Sequence, residues 1–412
     1  GIIPLEKNLY MNSIKIDNKV FCALPFTYVY VDSLNEYKLC SDARLSSQIN
    51  TNDMSILTYF NSDYLKEIRD NMIAGNLSEK IKGTCIRCIE REELGLWSRR
   101  ETSIKKYVLE TYNKKFYNIP TSDTIKLKFG NLCNLKCLTC GPYSSSRWAH
   151  ERSSQNEMNV YKELKDEISK ASHEKYGKLY QDSFDYEFIQ DSSKLNYNFD
   201  KNFYDELKYI MKHLKKIIIS GGEPFLNDNF YEFIHWLISN KFSQNLSLIV
   251  FSNMTKLPKN YKTYYDKFKS FHINVSLDGV GKKDEYIRRG TDFKQKHSNI
   301  KQLQNFFDID YCATVSILNV GYQYEIKKYC SQFRKHASFF NVLVEPFYLQ
   351  VNNLPEDIIE LYERNLQFHR LYRSKLKNKD HFLLGIKYLK KYDKIHNTYL
   401  LDEWPEFEKY YV

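Results

Sequence analysis

From about residue 121 the chain alternates short β-rich runs with helical segments, and this alternation limits the fold more than any other feature. The runs are Thr124 to Phe129, Lys216 to Ser220, Leu246 to Phe251, Phe271 to Ser276, Tyr311 to Ile317 and Phe340 to Val344. In one connecting segment Phe203, Leu207, Ile210, Met211 and Leu214 recur at helical spacing. Strands joined through helices pair in parallel, and a right-twisted strand feeding a helix packs back onto its sheet only through a right-handed crossover. Six such units predict an α/β fold, a partial (β/α)6 TIM-like barrel over residues 121–350. In barrels of this kind chemistry gathers at the C-terminal ends of the strands.

Directly after the first run comes Cys133-Asn134-Leu135-Lys136-Cys137-Leu138-Thr139-Cys140. A C-x3-C-x2-C spacing lets three thiolates reach three irons of one cubane and leaves the fourth iron without a protein ligand. Iron–sulfur clusters normally take four Cys thiolates, so the triad implies an iron kept open for an exogenous ligand. A structural zinc would want a fourth ligand, and His150 is the nearby candidate. The run resembles the radical SAM enzymes. The resemblance implies a [4Fe-4S] cluster that binds the amino and carboxylate groups of S-adenosylmethionine (SAM) and cleaves it to a 5′-deoxyadenosyl radical. The partial barrel is also that family's core fold.

Further motifs fall at the ends of the next strands. Ser220-Gly221-Gly222-Glu223-Pro224 ends the second run; paired glycines let backbone approach a ligand closely, and the Glu223 carboxylate can accept hydrogen bonds from an ammonium group. It resembles the family motif that grips the SAM amino group. Ser252-Asn253 closes the third run, and Ser276-Leu277-Asp278-Gly279 the fourth, with Arg288 twelve residues past Ser276. The series resembles the SxDG…R…G…F pattern of anaerobic sulfatase-maturating enzymes and peptide-modifying relatives. That implies a ribose contact for Ser276, a SAM-carboxylate contact for Arg288, and weaker carry-overs to Asn253 and Asp278. Two departures stand out: Thr139 replaces the usual aromatic before the last cysteine, and Val315-Ser316-Ile317-Leu318-Asn319 lacks flanking glycines, although Ile317 can still pack on adenine.

Ahead of the barrel lie Cys22, Cys40, Cys85 and Cys88. Phe26 to Val31 reads as a strand, Asp32 to Glu36 as a turn and Tyr37 to Leu39 as a returning strand, so Cys22 and Cys40 flank a hairpin and meet at its open end. C-x12-N-x4-C followed by C-x2-C resembles the SPASM or shortened twitch auxiliary-cluster module, with Asn35 where the module usually has Gly; Asn tolerates the left-handed conformation. Glu92, Gly95, Ser98 and Arg99 resemble the stretch that follows C-x2-C in proteins carrying the module at the N-terminus. The resemblance implies an auxiliary [4Fe-4S] cluster in a small α+β domain over residues 1–120. Four cysteines with a C-x2-C are also a zinc-ribbon pattern, so zinc stays open. Cys312 and Cys330 read as buried small hydrophobes.

Seven of the nine cysteines thus fall into metal-type spacings, which favours a reducing compartment and a cytoplasmic protein. No apolar run reaches membrane length, and the first residues carry no signal-peptide pattern. The net charge of +10 comes as scattered pairs such as Lys105-Lys106 and Lys390-Lys391, which are solvated faces rather than a nucleic-acid groove. Residues 174 to 200 form a long non-periodic stretch, a candidate lid or a surface insertion. Residues 351–412 read as C-terminal helices packing on the barrel: one from Pro355 with Ile358, Ile359, Tyr362, Leu366 and Leu371 on its face, another from about Phe382 to Ile395. The expected function is a radical SAM enzyme modifying a peptide or protein, with oxidation of a small polar or sugar-like molecule as the alternative, served by an electron donor such as flavodoxin or ferredoxin. A metal-binding scaffold without chemistry is the reading of another class; Glu223, Ser276 and Arg288 argue against it.

Overall fold

The computed structural model describes residues 19–44, 47–93, 98–110, 123–152, 164, 166–172, 174, 199, 201–333, 338–363 and 378–411, with only the backbone at 105–110, 149, 151 and 152. The candidate lid lies outside the described residues apart from 174 and 199, as do Gly95, Leu366 and Leu371.

Eight strands form one sheet: β1 Tyr28–Val31, β2 Tyr37–Lys38, β3 Thr124–Lys128, β5 Lys216–Ser220, β6 Ser247–Ser252, β7 Ser270–Ser276, β9 Asp308–Val315 and β10 Ser338–Val342; β4 (Lys136–Cys137) and β8 (Arg288–Arg289) pair apart from it. The order is β10-β9-β7-β6-β5-β3-β1-β2, and every pair is parallel except β1 with β2. All six runs read from residue 121 onward are strands of this α/β sheet, within three residues at their ends.

Alternation along each strand separates two faces. Ile125, Leu127, Ile217, Ile219, Leu248, Val250, Ile273 and Val275 are buried under the connecting helices. There they meet Phe203 and Leu207 of Lys201–Ile210, Phe230 and Phe233 of Asp228–Ser239, and Ile300 and Leu303 of Phe293–Leu303. Each such side chain contributes about 1.5 to 3 kcal/mol on full burial. One crossover departs from the expected helix. Between β6 and β7 the chain makes only the short 3-10 turn Tyr261–Thr263, entered through Asn260 at φ +50°. Edge-to-face aromatic packing replaces helical burial there, with Tyr261 against Phe306 and Phe268 against Phe271.

The N-terminal hairpin does more than carry cysteines. Its β1 lies parallel beside β3, Tyr30 opposite Lys126 and Val31 opposite Leu127, so that Val29 and Val31 extend the buried face. Asn35 takes the turn at φ +64°, in the left-handed region expected of it. The helix Glu79–Glu93 then reaches the opposite end of the sheet. Arg87 Nη2 bonds Glu345 Oε2 at 2.8 Å and Arg91 Nη2 donates to the Val342 carbonyl at 2.9 Å, while Arg91 Nη1 holds Asp42 at 2.6 Å. One helix therefore bridges the β1–β2 edge and β10, across the face opposite the helical layer.

A second core joins the C-terminal residues to the ends of the strands. Tyr388, Leu389 and Tyr392 of the helix Lys379–His396 pack with Val315, Ile317, Trp148 and Trp404. Among the described residues no helix is long and apolar enough to cross a membrane.

Candidate active site

The cysteine loop leaves β3 at its C-terminal end and is held by the loops that leave β5, β6 and β7. Gly222 stands at φ +56°, and a Cβ there would lie 2.3 Å from the Leu132 carbonyl oxygen, so only glycine lets the β5 loop press against the cysteine loop. In the same contact Glu223 N donates to Leu132 O at 2.7 Å. Gly221, at φ +88°, packs on the Lys128 side chain. Asn253, after β6, donates through Nδ2 to Asn134 Oδ1 at 3.0 Å and stands 3.9 Å from Cys133 Sγ. Asn134 in turn donates to Thr255 Oγ1 at 2.8 Å. From the other side β4 pairs with β8, placing Cys137 opposite Arg288. Trp148 Nε1 closes the loop by donating to the Cys137 carbonyl at 2.9 Å.

Glu223 is buried, and its carboxylate accepts from Asn253 N at 2.6 Å, Ser252 Oγ at 2.9 Å and Phe225 N at 3.1 Å. Burial nevertheless dominates and pushes its carboxyl up to about 7. A carboxylate offers about four acceptor sites, so one remains for a ligand after these three donors. Arg288 is also buried; its Nη1 donates to Asp278 Oδ2 at 2.8 Å, and its Nε has no partner among the described residues. Asp278 additionally accepts from Thr314 N at 2.7 Å, while Asp284 bridges Asp278 N and Lys296 Nζ at 2.9 and 2.6 Å. Burial alone would lower the Arg288 pKa. The nearby Cys137, Asp278, Asp284 and Cys140 outweigh it and hold the guanidinium charged. Ser276 sits half-buried at the end of β7, its carbonyl accepting from Lys296. Ile317 is fully buried in the C-terminal core, in the cluster that also contains Leu138.

The donor chemistry of the loop suits an anionic iron–sulfur group. Cys133 and Cys140 are half-buried and Cys137 is buried; Leu135 N donates to Cys133 Sγ at 3.5 Å. A hydrogen bond from Cys140 holds the Cys137 thiol below its ordinary pKa, and the same bond raises that of Cys140. Burial raises Cys133 to about 12.

Cys22, Cys40, Cys85 and Cys88 line one apolar cavity of about 560 Å³, including its open mouth, together with Arg99 and Arg100. Burial raises all four thiol pKa values, Cys40 to about 12. The carboxylate at this wall, Asp42, is paired with Arg91, so the donors offered are sulfur, the choice of zinc or iron–sulfur sites. Ser98 caps the helix Arg99–Glu110 by accepting from Glu101 N at 3.0 Å, and Glu92 clamps Arg100 with two bonds of 2.6 and 2.8 Å. Arg99 lies 5.6 Å from the Tyr28 ring. Among the described residues no three His, Cys, Asp or Glu side chains are set at the spacing of a single metal ion's ligands.

Sequence reasoning missed Asn134, Thr255 and the Asp284–Lys296 pair. Asn134 lies inside the cysteine run, so its position was the available signal. The pair carried none, because its two charges are twelve residues apart on segments that only the fold brings together.

No family model matches the chain, and no curated protein matches it. Among solved structures it is similar to native anSMEcpe with bound AdoMet, at 14% identity over 66% of this chain and 62% of that one, TM-score 0.37. It is also similar to Streptococcus suis SuiB bound to S-adenosylmethionine, at 11% identity over 88% and 70%, TM-score 0.35. SuiB bound to precursor peptide SuiA matches at 12% identity over 79% and 65%, TM-score 0.33. At those scores the likeness is one of loose outline. The chain spans about 62% of the length of anSMEcpe.

Proposed function

We propose that this protein is a radical SAM enzyme that modifies a peptide or protein. In this reading residues 121–350 are the partial barrel, residues 1–120 the auxiliary domain and residues 351–412 a helical cover. Cys133, Cys137 and Cys140 hold a [4Fe-4S] cluster, and Cys22, Cys40, Cys85 and Cys88 an auxiliary one. The carrying observation is that loops from the C-terminal ends of adjacent parallel strands meet at a triad of thiols: Leu132 with Glu223, Glu223 with Ser252 and Asn253, Asn253 with Asn134, and Cys137 with Arg288.

When bound, the cluster and SAM would supply an electron and a radical able to take hydrogen from an unactivated carbon. The chain's own part is positioning and charge. The remaining acceptor site on Glu223 suits an ammonium group, and Arg288 Nε suits a carboxylate. Ser276 suits the ribose and Asn253 orients the cysteine loop, while Ile317, in the apolar cluster with Leu138, would pack on adenine. A peptide is favoured over a small molecule by the sheet face opposite the helices. Polar groups there are spread from Lys126 on β3 to Asn274 on β7, three strand spacings or roughly 14 Å, which suits an extended chain. Electrons would come from a flavodoxin or ferredoxin in a reducing compartment.

Anaerobically reconstituted protein should release 5′-deoxyadenosine from SAM when given dithionite. Protein carrying its full iron complement that releases none would overturn the reading.

A further inference from the structure

Lys126 occupies an unusual position. It is half-buried on β3, on the face turned away from the helical core, with Nζ 5.3 Å from the Tyr30 ring centroid and 5.6 Å from that of Phe251. Among the described residues its ammonium makes no hydrogen bond and no ion pair, whereas Arg87 and Arg91 on the neighbouring helix are matched by Glu345 and Asp42. It lies within electrostatic reach of Cys312 on β9, of Arg99, Asp42 and Cys40 in the N-terminal region, and of Lys128 on its own strand. The amine therefore faces N-terminal residues on the side of the sheet turned away from the helical core. Burial, reinforced by the positive charges of Arg99 and Lys128, pushes it down to about 7.

A second group faces the same space. Asn274 is only 9% exposed, lies opposite Phe251 in the β6–β7 register, and its Oδ1 has no partner among the described residues. A buried amide oxygen without a donor is destabilising until something supplies an N–H. One lone ammonium and one lone amide acceptor, separated by an aromatic ring, match a peptide that offers an acidic side chain and a backbone N–H. A dianion such as phosphate fits worse, because Asp308 and Asp310 lie on the same face beside His272, Asp310 directly opposite Asn274.

We propose that Lys126 anchors the substrate by pairing with an aspartate or glutamate carboxylate of the peptide, while Asn274 accepts a backbone N–H beside it. This deepens the peptide reading and rests on it. The carboxylate supplies the counter-ion that the fold withholds, so Lys126 is a specificity residue rather than part of the cofactor site.

The test uses reconstituted protein and an acetylated, amidated heptapeptide with one glutamate at its centre and alanine elsewhere, against its glutamine counterpart. At neutral pH an amine-reactive acetylating ester should label Lys126. At a concentration about tenfold or more above its Kd the glutamate peptide should slow that labelling about tenfold or more, and the glutamine peptide at the same concentration should not. Lys126→Met should abolish calorimetric binding of the glutamate peptide while Lys126→Arg keeps it. Equal protection by the two peptides, or none, would overturn the assignment; if Lys126→Met does not fold, labelling of the unaltered protein still decides. Labelling needs neither SAM nor turnover. Absence of protection beside normal 5′-deoxyadenosine release therefore removes the substrate anchor alone, and protection without release removes only the radical reading.

Discussion

The two cysteine sites are built by opposite strategies. Around Cys133, Cys137 and Cys140 the protein supplies polar scaffolding: backbone bonds from neighbouring loops, the Asn253–Asn134–Thr255 relay and the buried Arg288–Asp278 pair. Around Cys22, Cys40, Cys85 and Cys88 it supplies a largely apolar cavity that Arg99 and Arg100 also line. Polar scaffolding leaves directed groups for something besides the metal, whereas the N-terminal cavity sets its four thiols in a mostly apolar wall where Arg99 Nε has no partner among the described residues. Ligand count alone does not distinguish an open site from a closed one; the number and direction of polar groups around it do.

Removing the first set of thiols breaks this comparison most severely. Cys133, Cys137 and Cys140 changed together to Ala should abolish 5′-deoxyadenosine formation, yet leave about four of about eight irons on the N-terminal cysteines. Metal analysis of anaerobically purified variant checks this. One zinc and no iron would end the auxiliary-cluster reading and any electron-accepting role for it, since zinc has no redox chemistry.

The next effect is smaller and tests the scaffolding itself. Arg288→Ala leaves Asp278 buried with its guanidinium partner gone, and breaking a buried pair from one side costs about 3 to 5 kcal/mol. Denaturant unfolding should register that loss, together with weaker SAM binding, while the N-terminal iron stays in place. Changing Asp278→Asn in the same chain should recover part of the stability but none of the SAM affinity. Recovery of both would mean that Arg288 serves the fold alone.

Much of this contrast was legible in the sequence. Short β-rich runs separated by helical segments located the six strands, and the cysteine spacings located both thiol sets. Other features were not legible, for reasons visible in particular residues. Ile125-Lys126-Leu127-Lys128 alternates apolar and basic residues, and a period of two says which residues share a face and not whether that face is enclosed. The hairpin pattern predicts the pairing of β1 with β2 but contains nothing about β3 on the other side. Pairing of Asp278 with Arg288 depends on β8 turning back onto the cysteine loop, a two-residue strand too short to leave a pattern. The missing helix between β6 and β7 likewise follows from aromatic side chains that find partners only once the sheet exists.

The smallest effect comes from a single proton on Glu223, and it sharpens the distinction because the N-terminal cavity has no counterpart. Its carboxyl rises from 4.5 to about 7 in the folded protein. Between those values the native state holds a proton that the unfolded chain has released, so this group's contribution to stability falls as pH rises through that window and is constant outside it. Ligand binding runs the other way. An ammonium group prefers the ionised carboxylate, so SAM affinity should weaken below about pH 7 by up to about tenfold per unit, or about 1.4 kcal/mol. Glu223→Gln should bind SAM more weakly at pH 8 and show no such slope below 7, because the amide has no proton to gain. Calorimetric titrations of both proteins across that range check it, and an equal slope in the variant would mean that the carboxylate only ties Ser252 and Asn253 to the β5 loop and never meets the ligand.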